Sequence, residues 1–233
     1  MTREVAFDTE TTGIKPQDGH RIVEIGCVEL LNRVPTGRVF QTYLNPERDM
    51  PPDAERIHGL SRAFLADKPL FKAVAAGFLA FIGDDPVVAH NASFDLGFIN
   101  NELKLAGEPL IAPSRMVDTL ALARRKHPGA PASLDALCAR YGIDNSKRAK
   151  HGALLDAEIL AEVYCELTGG RQSGLSLSVA AASGARKTAA AGSAPGARPE
   201  PLSPRLTSAE RTAHAEFIKT LGPDAHWGAY VKA

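Results

Sequence analysis

At 233 residues the chain has room for one well-buried domain and a substantial appendage, but not for two full catalytic domains. Its 27 Lys and Arg balance 27 Asp and Glu, and its three cysteines are too few and too scattered for a disulfide framework or a cysteine-built zinc site. No stretch is apolar enough for a signal peptide or a membrane span, which predicts a cytoplasmic protein without membrane contact.

The elements follow in order. Val5 to Phe7 begins a strand, and further strands are predicted from Ile22 to Leu31, Val39 to Leu44 and Val87 to Ala89, each bounded by polar or turn residues. Helical spacing marks Phe71 to Ile82, Phe94 to Ala106, Thr119 to Lys126, Leu134 to Tyr141 and Ala153 to Leu167. Three early strands, then a strand interleaved with helices, predict an α/β fold whose mixed sheet is flanked by helices. No glycine-rich phosphate loop is present, which removes the main support for a nucleotide-cofactor or NTPase reading.

Near Gly169 the patterning stops. Of the 35 residues at 171–205, 24 are Ala, Gly, Ser, Pro or Thr and none is aromatic, so this stretch reads as a flexible linker. Residues 206–233 read as a short C-terminal helical segment for docking, with Thr207 and Glu210 suited to cap a helix that carries Phe217 and Leu221. Residues 1–170 thus form the predicted catalytic domain. They hold 19 Lys and Arg against 23 Asp and Glu, residues 171–205 hold 5 against 1, and residues 206–233 hold 3 against 3. A long basic face gripping many phosphates is not expected; if residues 1–170 handle nucleic acid, they meet it over a short contact with the help of bound cations.

Four acids stand where such cations are needed. Asp8 and Glu10 end the first strand and share one of its faces, with Thr9 on the other. Two carboxylates so close raise the pKa of at least one of them unless a cation lies between them, and hard divalent ions suit oxygen donors. Asp95 begins a helix entered from the fourth strand, which places it at the same sheet edge. His151 and Asp156 are five residues apart, about 140° around a helix, so His151 is expected to precede the helix and swing toward a group held by Asp156. A histidine beside such acids is suited to general-base work. The cysteines Cys27, Cys138 and Cys165 read as small buried hydrophobes.

The runs Asp8-Thr9-Glu10-Thr11-Thr12-Gly13, Asn91-Ala92-Ser93-Phe94-Asp95 and His151 to Asp156 resemble the three motifs of the DnaQ-like DEDDh 3′→5′ exonucleases. With the run from Ser133 to Tyr141 and that from Ile143 to Arg148, residues 3–170 resemble the proofreading (epsilon) subunits of bacterial DNA polymerase III. The resemblance implies a ribonuclease-H-like fold and a two-metal nuclease releasing nucleoside 5′-monophosphates. It implies Asp8, Glu10, Asp156 and, largely through water, Asp95 as holders of two divalent cations, Mg²⁺ or Mn²⁺, with His151 as the base. It further implies substrate contacts at Glu10, His58 and Asp156, and at Asp53, where the family usually has glutamate. The implied partners are a single-stranded or frayed DNA 3′ end, the polymerase III catalytic (alpha) subunit through residues 206–233, with Phe217, Trp227 and Tyr230 as anchors, the sliding clamp through the peptide from Gln172 to Leu177, and a small accessory (theta-like) subunit. Two other readings remain open: a nuclease of the same class that trims RNA or short oligonucleotides, and an idle scaffold bridging clamp and polymerase.

Overall fold

In the computed structural model the chain is described over residues 2–146, 148, 150–170 and 206–221. These fall in two units, one within residues 1–176 and one within 177–233. The first contains β1 (Arg3–Thr11), β2 (Ile22–Leu31), β3 (Val34–Tyr43), α1 (Pro52–His58), α2 (Arg62–Leu65), α3 (Phe71–Ile82), β4 (Val87–Ala89), α4 (Ala92–Ala106), β5 (Met116–Asp118), α5 (Thr119–Lys126), α6 (Leu134–Tyr141) and α7 (Ala153–Leu167). The sheet order is β3-β2-β1-β4-β5. β1, β2 and β3 pair antiparallel, whereas β1 with β4 and β4 with β5 pair parallel, which makes the expected mixed sheet.

Alternation along β1 divides the core. Val5 and Phe7 pack with Phe71, Ala75 and Phe78 of α3 and with Phe98 and Ile99 of α4. Ala6 packs on the other face with Val28, Val88 and Ala157, Ala161 and Tyr164 of α7. The two-residue period therefore aims Asp8 and Glu10 toward α7 and Thr9 toward α4. The β2–β3 hairpin turns on Asn32 and Arg33, both with positive φ, the geometry that continues the strand twist. Cys27, Cys138 and Cys165 are buried and free, as expected of small hydrophobes.

Helix α7 sits unusually near the sheet at Gly26. A Cβ there would lie 2.2 Å from the Ala153 carbonyl carbon, so only glycine admits this approach. The Glu24 carboxylate, one register step away, accepts a hydrogen bond from the Ala153 amide at 3.1 Å and caps the helix from the sheet.

Four elements depart from the sequence expectation. β3 begins at Val34 rather than Val39, because an exposed edge strand has no apolar alternation to signal it. β5 has three half-buried residues, too few for a period. α1 and α2 lie where no element was predicted; Pro52 at the first turn of α1 supplies the pre-set φ, and the Ser61 hydroxyl caps α2. In the second unit, α8 (Ser208–Thr220) carries the expected capping box between Thr207 and Glu210, and Phe217 is exposed. The linker reading, the peptide from Gln172 to Leu177, Trp227 and Tyr230 lie outside the described residues. Among the described residues no helix is long and apolar enough to cross a membrane.

Candidate active site

The acids converge at the end of β1 where the chain leaves the sheet. Glu10 and Asp156 are buried, Asp8 is half-buried, and a bulge between Glu10 and Thr11 turns the strand there. Glu10, His151 and Asp156 each offer a ligand atom, all within 4.8 Å of one another. Asp95 arrives from the opposite side of the sheet, buried in the first turn of α4. It is held by the Thr9 hydroxyl, which donates to its carboxylate at 2.7 Å.

Charge in this cluster is poorly compensated. Burial, then the carboxylates of Asp95, Glu10 and Asp156, push Asp8 well above the ordinary aspartate range. Burial, followed by Asp156 and Glu24, raises Glu10 to about 8. Burial raises Asp95 to about 7 against the lowering effect of its Thr9 hydrogen bond. A pocket that holds carboxylates in this state favours protons or cations.

Arg148 provides the local positive charge. Its Nε donates to Asp156 Oδ1 at 2.5 Å and its Nη2 to Oδ2 at 2.8 Å. Nη1 reaches Asp135 at 2.7 Å, and Nη2 lies 2.8 Å from His151 Nδ1. His151 precedes α7 as expected; its side chain is half exposed, its Nδ1 is 3.3 Å from Asp156, and its amide donates to the Ile57 carbonyl at 3.3 Å. The sequence expectation separated His151 from the ligand set, whereas its ring nitrogen lies among the candidate ligand atoms.

Beside the acids lies a cavity of about 390 Å³ lined by residues that include Thr9, Glu10, Gly13, Ile14, Asp53, Ile57, His58 and Phe94. His58 is buried at the C-terminal end of α1, its Nδ1 accepts the Leu60 amide at 3.0 Å, and its Nε2 has no hydrogen-bond partner among the described residues. Burial lowers its pKa, so the neutral ring presents an N–H on that nitrogen. Asp53, on the first turn of α1, also lines the cavity but is largely exposed and pairs with Arg56 at 3.3 Å. The cavity therefore gathers Glu10, Asp53 and His58, three of the four expected substrate contacts.

The family described as Exonuclease (RNase_T) matches residues 5–164. A protein of Rickettsia felis named DNA polymerase III subunit epsilon is 58% identical over 174 residues, which are 73% of this chain and 76% of that one. The protein of the same name from Escherichia coli K12 is 49% identical over 180 residues, 74% of each chain. The chain belongs to the epsilon subunit family of DNA polymerase III.

As an epsilon-family protein it is a 3′→5′ exonuclease. A solved complex of Exonuclease X with 5′-overhanging duplex DNA is similar at a TM-score of 0.55 and 29% identity, covering 72% of this chain and 91% of that one. The mixed five-strand sheet flanked by helices is the ribonuclease-H-like exonuclease fold. Sequence reasoning missed two residues that shape this epsilon-family site. Glu24 alternates like any strand residue, and its cap on α7 is made only when β2 and α7 meet. Arg148 stands in the quoted run after Ile143, but a basic residue in a polar loop carries no signal that it will fold onto Asp156.

Proposed function

We propose that this chain is the proofreading 3′→5′ exonuclease of a replicative DNA polymerase, removing 3′-terminal nucleotides as 5′-monophosphates with two divalent cations, Mg²⁺ or Mn²⁺. The observation that carries the reading is the gathering of Glu10, His151 and Asp156 within 4.8 Å, beside an Asp8 and an Asp95 whose negative charge is unbalanced. The donor set fits such ions, because carboxylate oxygen is a hard ligand and the cluster is short of positive charge.

Asp8, Glu10 and Asp156 would hold the cations directly, and Asp95, tied to Thr9, would act largely through water. When bound, the pair supplies an activated water and neutralises charge at the leaving oxygen. His151 takes the proton from the attacking water as the new P–O bond forms; the P–O3′ bond breaks, and the leaving O3′ takes a proton from solvent to become the 3′-hydroxyl of the shortened strand. The cavity walled by α1 and the turn at Gly13 receives the terminal nucleotide. There the His58 Nε2–H meets an acceptor, Ile14 and Phe94 meet the apolar face of a base, and Asp53 stands at the rim.

Residues 1–170 serve as the exonuclease domain, 171–205 as the tether, and 206–233 as the segment that docks on the polymerase catalytic subunit. The peptide from Gln172 to Leu177 engages the sliding clamp, and a theta-like subunit binds the catalytic domain. Flexible attachment keeps the nuclease at high local concentration near a primer end.

Digestion of matched, mismatched and RNA 3′ ends by the purified chain, with and without Mg²⁺, tests the reading. His151→Ala should lower kcat roughly 10²- to 10⁴-fold while calorimetric cation uptake persists. Unchanged turnover in that variant would remove His151 as the base, and a preference for RNA ends would favour the trimming alternative. Truncation after residue 170 should spare hydrolysis of a free oligonucleotide and abolish binding to the polymerase.

A further inference from the structure

We infer that Arg148 is a resident counter-ion of the site: its guanidinium fills the acid cluster while no cation is bound, withholds the lone pair of His151, and withdraws toward Asp135 when a cation enters. The inference deepens the cation-dependent reading above and rests on it.

Three contacts support it. First, the fork of Nε and Nη2 on both oxygens of Asp156, at 2.5 and 2.8 Å, uses the carboxylate face that a metal ligand would need. Asp156 is 3% exposed and the Arg148 side chain 9%, so the pair is not a loose surface contact. Second, Nη2 lies 2.8 Å from His151 Nδ1. Arginine only donates, so a neutral imidazole in this contact accepts at Nδ1 and carries its single proton on Nε2. Neither nitrogen then has a free lone pair for a proton from water. The arrangement therefore occupies a ligand and blocks the base at once.

Third, a seat exists for the displaced group. Nη1 already bonds Asp135 at 2.7 Å, and Asp135 is steadied by the Asn145 amide at 3.0 Å. Asp135 lies in the first turn of α6, with its side chain largely exposed. A guanidinium that releases Asp156 keeps one ionic partner there, which lowers the cost of leaving. His151 Nδ1, once freed, is 3.3 Å from Asp156 and can carry the proton toward it, which leaves Nε2 with the lone pair.

The test uses the full-length protein. A slowly exchanging Arg Nε–H resonance, assigned by its loss in Arg148→Lys, is expected in ¹⁵N spectra recorded in EDTA and should disappear as Mg²⁺ is added. In parallel, calorimetry should give Arg148→Gln a Mg²⁺ affinity roughly tenfold tighter than wild type, since the competing state is removed. The same variant should be less heat-stable than wild type in EDTA, with the difference shrinking in saturating Mg²⁺. Persistence of the resonance when calorimetry shows Mg²⁺ bound, or its absence in EDTA, overturns the role of Arg148 and leaves the cation site intact. No Mg²⁺ uptake by wild type would instead overturn the cation site, and this inference with it.

Discussion

Glu29 and Glu10 lie on the adjacent strands β2 and β1, both buried, and their carboxylates behave in opposite ways. Glu29 accepts from Arg3 Nε at 2.7 Å, Arg38 Nη1 at 2.7 Å and the Thr36 hydroxyl at 2.8 Å. Those contacts, the Arg3 hydrogen bond foremost, hold it below the usual glutamate range. Arg3 is itself anchored by Asp85 at 2.6 Å and the Phe81 carbonyl at 2.6 Å. At the other end of β1, burial foremost, and then the carboxylates of Asp156 and Glu24, raise Glu10 to about 8. Burial alone does not decide the fate of a carboxylate; its partners do. Around Glu29, where the sheet needs only to be held, the carboxylate is matched by two guanidinium groups. Where β1 opens onto the cavity, negative charge is left in excess, and Arg148 offsets only part of it.

The contrast breaks most easily at Asp8. Asp8→Asn should reduce kcat by roughly 10³-fold or more, because it removes an anionic ligand while keeping shape. In EDTA the same variant should be more stable to heat than wild type, by on the order of 1 kcal/mol, since it relieves repulsion between Asp8 and the neighbouring acids. A lower melting temperature in EDTA would mean that the site is not short of positive charge. At the matched end the sign reverses. Arg3→Ala should cost about 2 kcal/mol, reduced from the value for a fully buried pair because Arg3 is partly exposed. Its turnover per folded molecule should stay within about twofold of wild type, as no Arg3 contact reaches the cavity. Thermal denaturation with single-turnover digestion of a 3′-labelled oligonucleotide checks both variants.

Much of the site was legible because it lies on regular elements. The period of two along β1 set Asp8 and Glu10 on one face, and the 140° between His151 and Asp156 required His151 to stand before α7, where it is found. The approach of Asp95 from the far face through Thr9 was less legible, since it depends on α4 packing opposite α7. The walls of the cavity were hidden for a local reason. α1 has only seven residues and begins at a proline pair, so its pattern is too short to announce a helix, and the burial of His58 is a tertiary result. Gly26 gives no sequence signal of the helix that crosses it. The fit of Glu24 to the Ala153 amide and of Arg148 to Asp156 requires chain segments to meet that no periodic pattern joins.

The smallest effect, and the one that reads both ends at once, is the response of stability to pH. Glu10 titrates at about 8 in the folded protein against 4.5 for a free side chain, and Asp95 at about 7 against 3.8. Between the free and folded values the folded state binds more protons than the unfolded chain, so raising the pH favours unfolding. In EDTA the melting temperature should therefore decline from about pH 5 toward pH 8. Saturating Mg²⁺ should flatten that decline, because a bound cation displaces the extra protons and releases them to solvent. Glu29 works in the other direction: its lowered pKa contributes stability above the free glutamate value that is lost as the pH falls through the folded one. Arg3→Ala should accordingly weaken the acid limb of the curve and leave the decline toward pH 8 in place. Parallel curves with and without Mg²⁺ would show that the excess protons do not reside at the acids around Glu10.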